Sequence, residues 1–181
     1  MAKKWTEETI VQALGRVFSI KRGIDCAPNV LMYLHYYKDR ERYRRDRENW
    51  GRGEYEADFI YISKLGYLHE IEVKISIADF RNDQKKRHFH DHPEVRGFSY
   101  CMPSELFQAY SDEIENICKE KGAGLILVQD NGTIKTVIKA SPRLHVPKLP
   151  LQSLIFYLKI AAKKWVKKTI DFFSILYIIH T

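Results

Sequence analysis

Asp58 and the tripeptide Glu72-Val73-Lys74 are the residues whose types and spacing are best suited to chemistry in this chain of 181 residues. The segments carrying them, Glu54 to Ser63 and Tyr67 to Ser76, read as strands joined by Lys64-Leu65-Gly66. A three-residue loop with Gly last suits a type I turn followed by a left-handed residue. With that loop, facing positions sum to 130, so Asp58 faces Glu72, Glu56 faces Lys74 and Ile60 faces Glu70. Directly opposed residues share a sheet face, with Cβ atoms about 5 Å apart. The period of two then puts Glu70, Glu72 and Lys74 on one face with Glu56 and Asp58. Ala57, Phe59 and Tyr61 fall on the other face with Ile71, Val73 and Ile75. One face is core; the other gathers four carboxylates and one ammonium.

Opposed carboxylates destabilise a sheet, and partial burial raises the cost of each charge. A hard divalent cation removes the conflict, because Mg²⁺ takes oxygen ligands from one or two carboxylates together with water and substrate phosphate. Such an ion lowers the pKa of a bound water and stabilises charge on a phosphoryl oxygen. Lys74 on the same face would orient the attacking water or stabilise the transition state. The plainer alternative is a solvated polar strand face with a Glu56–Lys74 cross-strand pair, worth a few tenths of a kcal/mol.

The elements around this hairpin must position it. Thr6 with Glu8 and Thr9 marks a helix start, and Ile10, Val11, Leu14, Val17 and Phe18 recur at helical spacing until Gly23 and Pro28. Residues 29–37 suit a strand or a short helix. Residues 38–52 hold seven basic and four acidic side chains. That run reads as a solvated loop or as a phosphate-contacting one, in which Arg44, Arg45, Arg47 and Arg52 interleave with Tyr43 and Trp50.

After the hairpin, Ser76 can cap a helix running into Lys85-Lys86-Arg87, which either faces solvent or touches phosphates. Asp79 and Asp83 share a face of it; Asp79 caps or buttresses the helix, or else holds Lys74 or a metal-bound water. His88, His90 and His92 read as a solvated or phosphate-facing loop rather than a zinc site. A strand from Gly97 to Met102, an amphipathic helix from Ser104 to Lys121 and a short strand from Gly124 to Val128 follow. Asn131-Gly132 is a hairpin signal into Thr133 to Ile138. The sum is an α/β (α+β) chain, with a mixed sheet and helices packed on it.

Asp58 and Glu72-Val73-Lys74, in this order of elements, resemble the motif of the PD-(D/E)xK nuclease superfamily. Glu56-Ala57-Asp58, Glu72-Val73-Lys74, the run Ser76-Ile77-Ala78-Asp79-Phe80-Arg81-Asn82-Asp83, and Lys85-Lys86 are similar to the MmcB-like DNA-repair and phage nuclease group. Phe98 to Pro103 and Gly122 to Ile126 resemble that group's later strands, and the likeness spans roughly residues 6 to 140. One departure is Ala57, where the superfamily motif has proline.

The resemblance implies a restriction-endonuclease-like core over residues 1–143 and a Mg²⁺- or Mn²⁺-dependent nuclease acting on DNA. Asp58 and Glu72 would be metal ligands, completed by the Val73 carbonyl and by Glu8 (or Glu7) on the first helix. Lys74 would be the catalytic lysine. Glu56, Glu70, Ser76, Asp79 and Asp83 would support the site, while Arg44, Arg45, Arg47, Arg52, Lys85, Lys86 and Arg87 would track the DNA backbone. No small-molecule cofactor is expected. A catalytically silent DNA-binding module of the same fold is the alternative.

Composition bounds these readings. A formal charge of +7 points to a polyanionic partner, nucleic acid or an anionic membrane surface. Cys26, Cys101 and Cys118 are far apart with no CxxC spacing, as reduced thiols of a cytoplasmic protein would be. No apolar run follows Lys3-Lys4, so no secretory signal is expected.

Residues 144–181 read as a basic amphipathic helical extension, with Leu154, Ile155, Leu158, Ala162 and Trp165 on one side and Lys159, Lys163 and Lys167 on another. Packing on the core, with incidental DNA contact, is the expectation; anchoring at a membrane is the alternative. The apolar end, Phe172 to Ile179, docks on the core, forms a homodimer contact or touches membrane.

Overall fold

The computed structural model describes residues 4–32, 55–85 and 90–163. Helix α1 (Glu7–Gly15) starts at Thr6, whose hydroxyl accepts from the Thr9 amide while the Thr9 hydroxyl accepts from the Thr6 amide. It passes into a turn of π-helix over Arg16–Lys21. Strands β1 (Cys26–Met32), β2 (Tyr55–Ile62) and β3 (Leu68–Val73) follow. After them come α2 (Ile77–Asp83), β4 (Val95–Pro103), α3 (Ser104–Ala109), α4 (Ser111–Lys121), β5 (Gly124–Val128) and β6 (Ile134–Ile138). Residues 151–163 are helical and are termed α5.

Among the described residues, six strands lie side by side in chain order. β1, β2 and β3 run antiparallel, β3, β4 and β5 parallel, and β6 antiparallel to β5. This is the expected mixed α/β sheet flanked by helices. The π turn and α1 cover Phe59, Ile71, Val73, Cys101 and Ile126. Helices α2 and α4 cover Phe98, Tyr100, Met102 and Leu125.

The hairpin register is the one expected: Phe59 faces Ile71, Ile60 faces Glu70, Tyr61 faces His69 and Ile62 faces Leu68. Gly66 supplies the left-handed residue at φ +83, and its amide donates to the Ser63 carbonyl.

The expected alternation breaks at one place. Asn29 adopts φ +49, and the β1–β2 ladder, which pairs Pro28 with Phe59 and Val30 with Ala57, skips Asn29 and the residue opposite it, Asp58. Both strands change face there. Ala27, Val30 and Met32 of β1 pack in one cluster with Ala57, Ile60 and Tyr55 of β2, although odd and even positions are mixed. Ala57 therefore does not share a core with Phe59. Glu56 is likewise turned away from Glu70 and Glu72, and it is exposed.

Two further expectations are corrected. Pro28 lies inside β1 rather than ending the preceding helix, which an edge strand tolerates. The helix expected over Ser104–Lys121 breaks at Tyr110, whose ψ of 33 stops α3 before α4 begins. The Arg81 guanidinium sits 5.7 Å from the Tyr110 ring and forks onto Glu113, so Tyr110 stays at the surface.

Helix α5 packs on the sheet, as expected, but with a different face. Ser153 and Tyr157 are its buried residues, with Phe156, Ile160 and Ala161 packed beside them; Ile155 and Leu158 are exposed. Glu94, at the entry to β4, determines this rotation: its two carboxylate oxygens accept from the Ser153 and Tyr157 hydroxyls, each at 2.7 Å. Hydrogen bonds to a charged group contribute about 1.5–3 kcal/mol each. Glu94→Ala should therefore lower unfolding stability by about 3–6 kcal/mol in urea titrations. Loss of under about 0.5 kcal/mol would mean the helix docks without this anchor.

Candidate metal and catalytic site

The parallel β3–β4 pairing carries the polypeptide from Val73 into Lys74, whose amide donates to the Cys101 carbonyl at 2.9 Å. Lys74 is thus held at the end of the sheet, with its side chain 4% exposed. Its ammonium lies 2.9 Å from Glu72 Oε1, 3.2 Å from Asp83 Oδ1 and 3.5 Å from Asp79 Oδ2. Both aspartates come from α2, which begins where Ser76 accepts from the Asp79 amide at 3.2 Å. The cap is therefore Ser76, and Asp79 turns to Lys74.

Asp58 sits where the β1–β2 ladder is interrupted, and its Oδ2 accepts from the Val73 amide at 2.7 Å. Its carboxyl is pushed up to about 7, by burial first, then by the Glu72 charge and more weakly by Glu7, against the Val73 amide and Lys74. Asp58 and Glu72 are therefore neighbours that resist sharing negative charge. The first-helix acid whose charge reaches Asp58 is Glu7; Glu7 and Glu8 are both exposed on the first turn of α1.

A buried chain of groups extends behind Lys74. Asp83 Oδ2 accepts from the Tyr100 hydroxyl at 2.7 Å and lies 2.9 Å from His90 Nε2. His90 Nδ1 lies 2.6 Å from Glu70 Oε1, and Glu70 Oε2 accepts from the Tyr55 hydroxyl at 2.5 Å. The imidazole stacks on Phe98 at 4.1 Å. Burial lowers the His90 pKa, but Glu70 and Asp83 outweigh it and hold the ring at about 9. His90 is accordingly an imidazolium bridging two carboxylates at neutral pH. Burial and Glu70 push the Tyr55 phenol well above its usual range.

Glu70, Glu72 and His90 form a buried group whose ligand atoms lie within 4.8 Å of one another, close enough to hold one metal ion. Glu72 belongs both to this group and to the pair with Asp58. Oxygen donors at Asp58 and Glu72 suit a hard cation such as Mg²⁺ or Mn²⁺. Ligation by His90 would first require its ring to give up a proton.

No family model and no curated protein matches the chain. Among solved structures it is similar to a protein of unknown function from Silicibacter pomeroyi, at 14% identity and a TM-score of 0.55, covering 91% of this chain and 89% of that one. At that identity the likeness carries the architecture alone.

Of the residues singled out in the sequence, the structure brings together Asp58, Glu70, Glu72, Val73, Lys74, Asp79 and Asp83. Glu56 and Glu8 stay at the surface. Lys85 is exposed after α2, with its ammonium 3.4 Å from Asn82 Oδ1. Arg44, Arg45, Arg47, Arg52, Lys86 and Arg87 lie outside the described residues, as do the run 38–52 and the apolar end of the chain. His88 lies outside the described residues, but His90 and His92 are corrected from a solvated loop to buried positions, with His90 held at φ +44 between the Glu70 and Asp83 carboxylates. His90, Tyr55 and Tyr100 were not foreseen as members of the site.

Asp58 also sets a pH dependence. Its native pKa of about 7 exceeds the ordinary 3.8, so between these values the folded chain holds a proton that the unfolded chain has released. Its contribution to stability therefore falls as pH rises through that window. In EDTA, raising pH from about 4.5 to about 6.5 should cost wild type more stability than Asp58→Asn, measured by urea unfolding. Equal slopes would place Asp58 in water.

Proposed function

We propose that the chain is a divalent-cation-dependent phosphodiester hydrolase acting on DNA. The observation that carries this reading is the convergence, at the end of β3, of the Asp58–Glu72 pair with the buried Lys74 ammonium 2.9 Å from Glu72. The resemblance of Asp58 and Glu72-Val73-Lys74 to the PD-(D/E)xK motif supports it.

The donor set fits a hard cation, since Asp58 and Glu72 are two carboxylates that repel until a cation joins them. Asp58 and Glu72 would hold the ion, which supplies Lewis-acid stabilisation of charge on the phosphoryl oxygens. The chain's own groups do the rest. The Val73 amide fixes the Asp58 carboxylate in one orientation. Asp79 and Asp83 hold the Lys74 ammonium beside Glu72, where it can donate to an oxygen that gains charge in the transition state. Asp83 is in turn held by Tyr100 and His90, so Lys74 is aimed by a buried framework rather than by solvent.

The test is incubation of the full chain with linear, circular and single-stranded DNA in Mg²⁺, Mn²⁺ or EDTA. Cleavage in the divalent ions that is absent in EDTA supports the proposal. DNA retained equally in EDTA, with no cleavage and an affinity falling steeply with salt, would show instead a silent DNA-binding module.

A further inference from the structure

Helix α5 has two apolar faces, and among the described residues only one of them packs on the sheet. Ser153, Tyr157, Ile160 and Ala161 turn to the sheet. At about 100° per residue, Leu151, Ile155, Leu158 and Ala162 form a stripe roughly opposite that buried line. Leu151 is 69% exposed, Ile155 42% and Leu158 45%. Along one flank of the stripe lie Gln152, Lys159 and Lys163, all exposed. Isolated surface leucines are ordinary, but a stripe spanning three turns of one helix is not.

The chemistry beside the stripe selects the occupant. The sequence past residue 163 continues with Lys164, Lys167 and Lys168 and then with Phe172-Phe173-Ser174-Ile175-Leu176-Tyr177-Ile178-Ile179. Six lysines against Asp171 give residues 144–181 most of the chain's +7. A second copy would bring a like charge against these lysines. DNA would satisfy the lysines and leave the stripe in water. An anionic lipid surface meets both, with apolar side chains in the acyl boundary and ammonium groups at the headgroups. Among the described residues no helix is long and apolar enough to cross a membrane, so the fit is to a surface.

We propose that the outward face of α5, through Leu151, Ile155 and Leu158 with Lys159 and Lys163, docks on an anionic lipid surface. This goes beyond the hydrolase reading and does not depend on it. The test is flotation of the full chain with phosphatidylcholine vesicles containing none or about one-third phosphatidylglycerol, at low and high salt. Binding to the anionic vesicles only, weakened by salt, is expected. The triple variant Leu151→Gln, Ile155→Gln, Leu158→Gln should bind about 10-fold or more weakly, and Lys159→Glu with Lys163→Glu should also bind less. These side chains are exposed, so thermal melting should stay unchanged in both variants. Absence of flotation overturns the proposal. So does flotation indifferent to the triple variant, which would leave residues 164–181 as the lipid contact. Dimerisation of the free protein that the triple variant abolishes would assign the stripe to a second copy and overturn it too.

Discussion

If the chain hydrolyses DNA as proposed, replacing Lys74 with methionine should reduce cleavage by about 10²–10⁴-fold while leaving divalent-ion binding as tight or tighter. The two outcomes part because of where the ammonium sits. It lies 2.9 Å from Glu72, the carboxylate shared by both candidate cation positions, and therefore competes with any ion for that charge. Methionine keeps the aliphatic stem and removes the charge, so Glu72 becomes a better ligand as the transition state loses a donor. Breaking a buried ion pair from one side costs about 3–5 kcal/mol, so the variant should melt lower without an ion and recover partly with one. Single-turnover cleavage and isothermal titration with Mn²⁺ on the same sample read the two effects separately. Parallel loss of ion binding and cleavage would mean that Lys74 merely holds Glu72 in place.

The second large effect lies at His90. His90→Leu leaves Glu70 and Asp83 facing a side chain that can neither donate nor carry charge, at a cost of about 3–5 kcal/mol. The imidazolium's native pKa of about 9 lies above the ordinary 6.5. Its stabilisation is therefore fully present below about 6.5 and is lost as pH rises through about 9. Melting of the wild type should fall across that interval, and the difference from His90→Leu should close. Asp83→Asn interrupts the same chain of groups, so the double variant should cost less than the two singles together. Strict additivity would show that His90 and Asp83 act independently, despite the 2.9 Å between them.

Much of the architecture could be read from the sequence because its determinants are local. The three-residue loop ending in Gly66 sets the β2–β3 register, Thr6 and Ser76 cap their helices, and Asn131-Gly132 turns β5 into β6. Asp58, Glu72 and Lys74 were legible for the same reason, since a hairpin relates its strands by simple counting. Features that depend on distant partners were not. The burial of His90 depends on carboxylates from β3 and α2, and the rotation of α5 on Glu94 59 and 63 positions away. Periodicity alone chose the wrong face of α5, because both faces are apolar and only the hydroxyls of Ser153 and Tyr157 distinguish them. The exposure of Glu56 escaped because strict alternation assumes an uninterrupted strand.

The interruption at Asn29 has an evolutionary corollary. An ordinary L side chain enters the left-handed region at an energetic penalty that asparagine and glycine largely avoid, and that β-branched residues feel most. The direction in which Asp58 points is thus inherited partly from a neighbouring strand that donates no acid to the cluster. A descendant could keep every ionisable group and still drift into inactivity by acquiring valine at position 29. Motif conservation among its kin would then be an incomplete certificate of competence, and the identity of residue 29 a useful countersign.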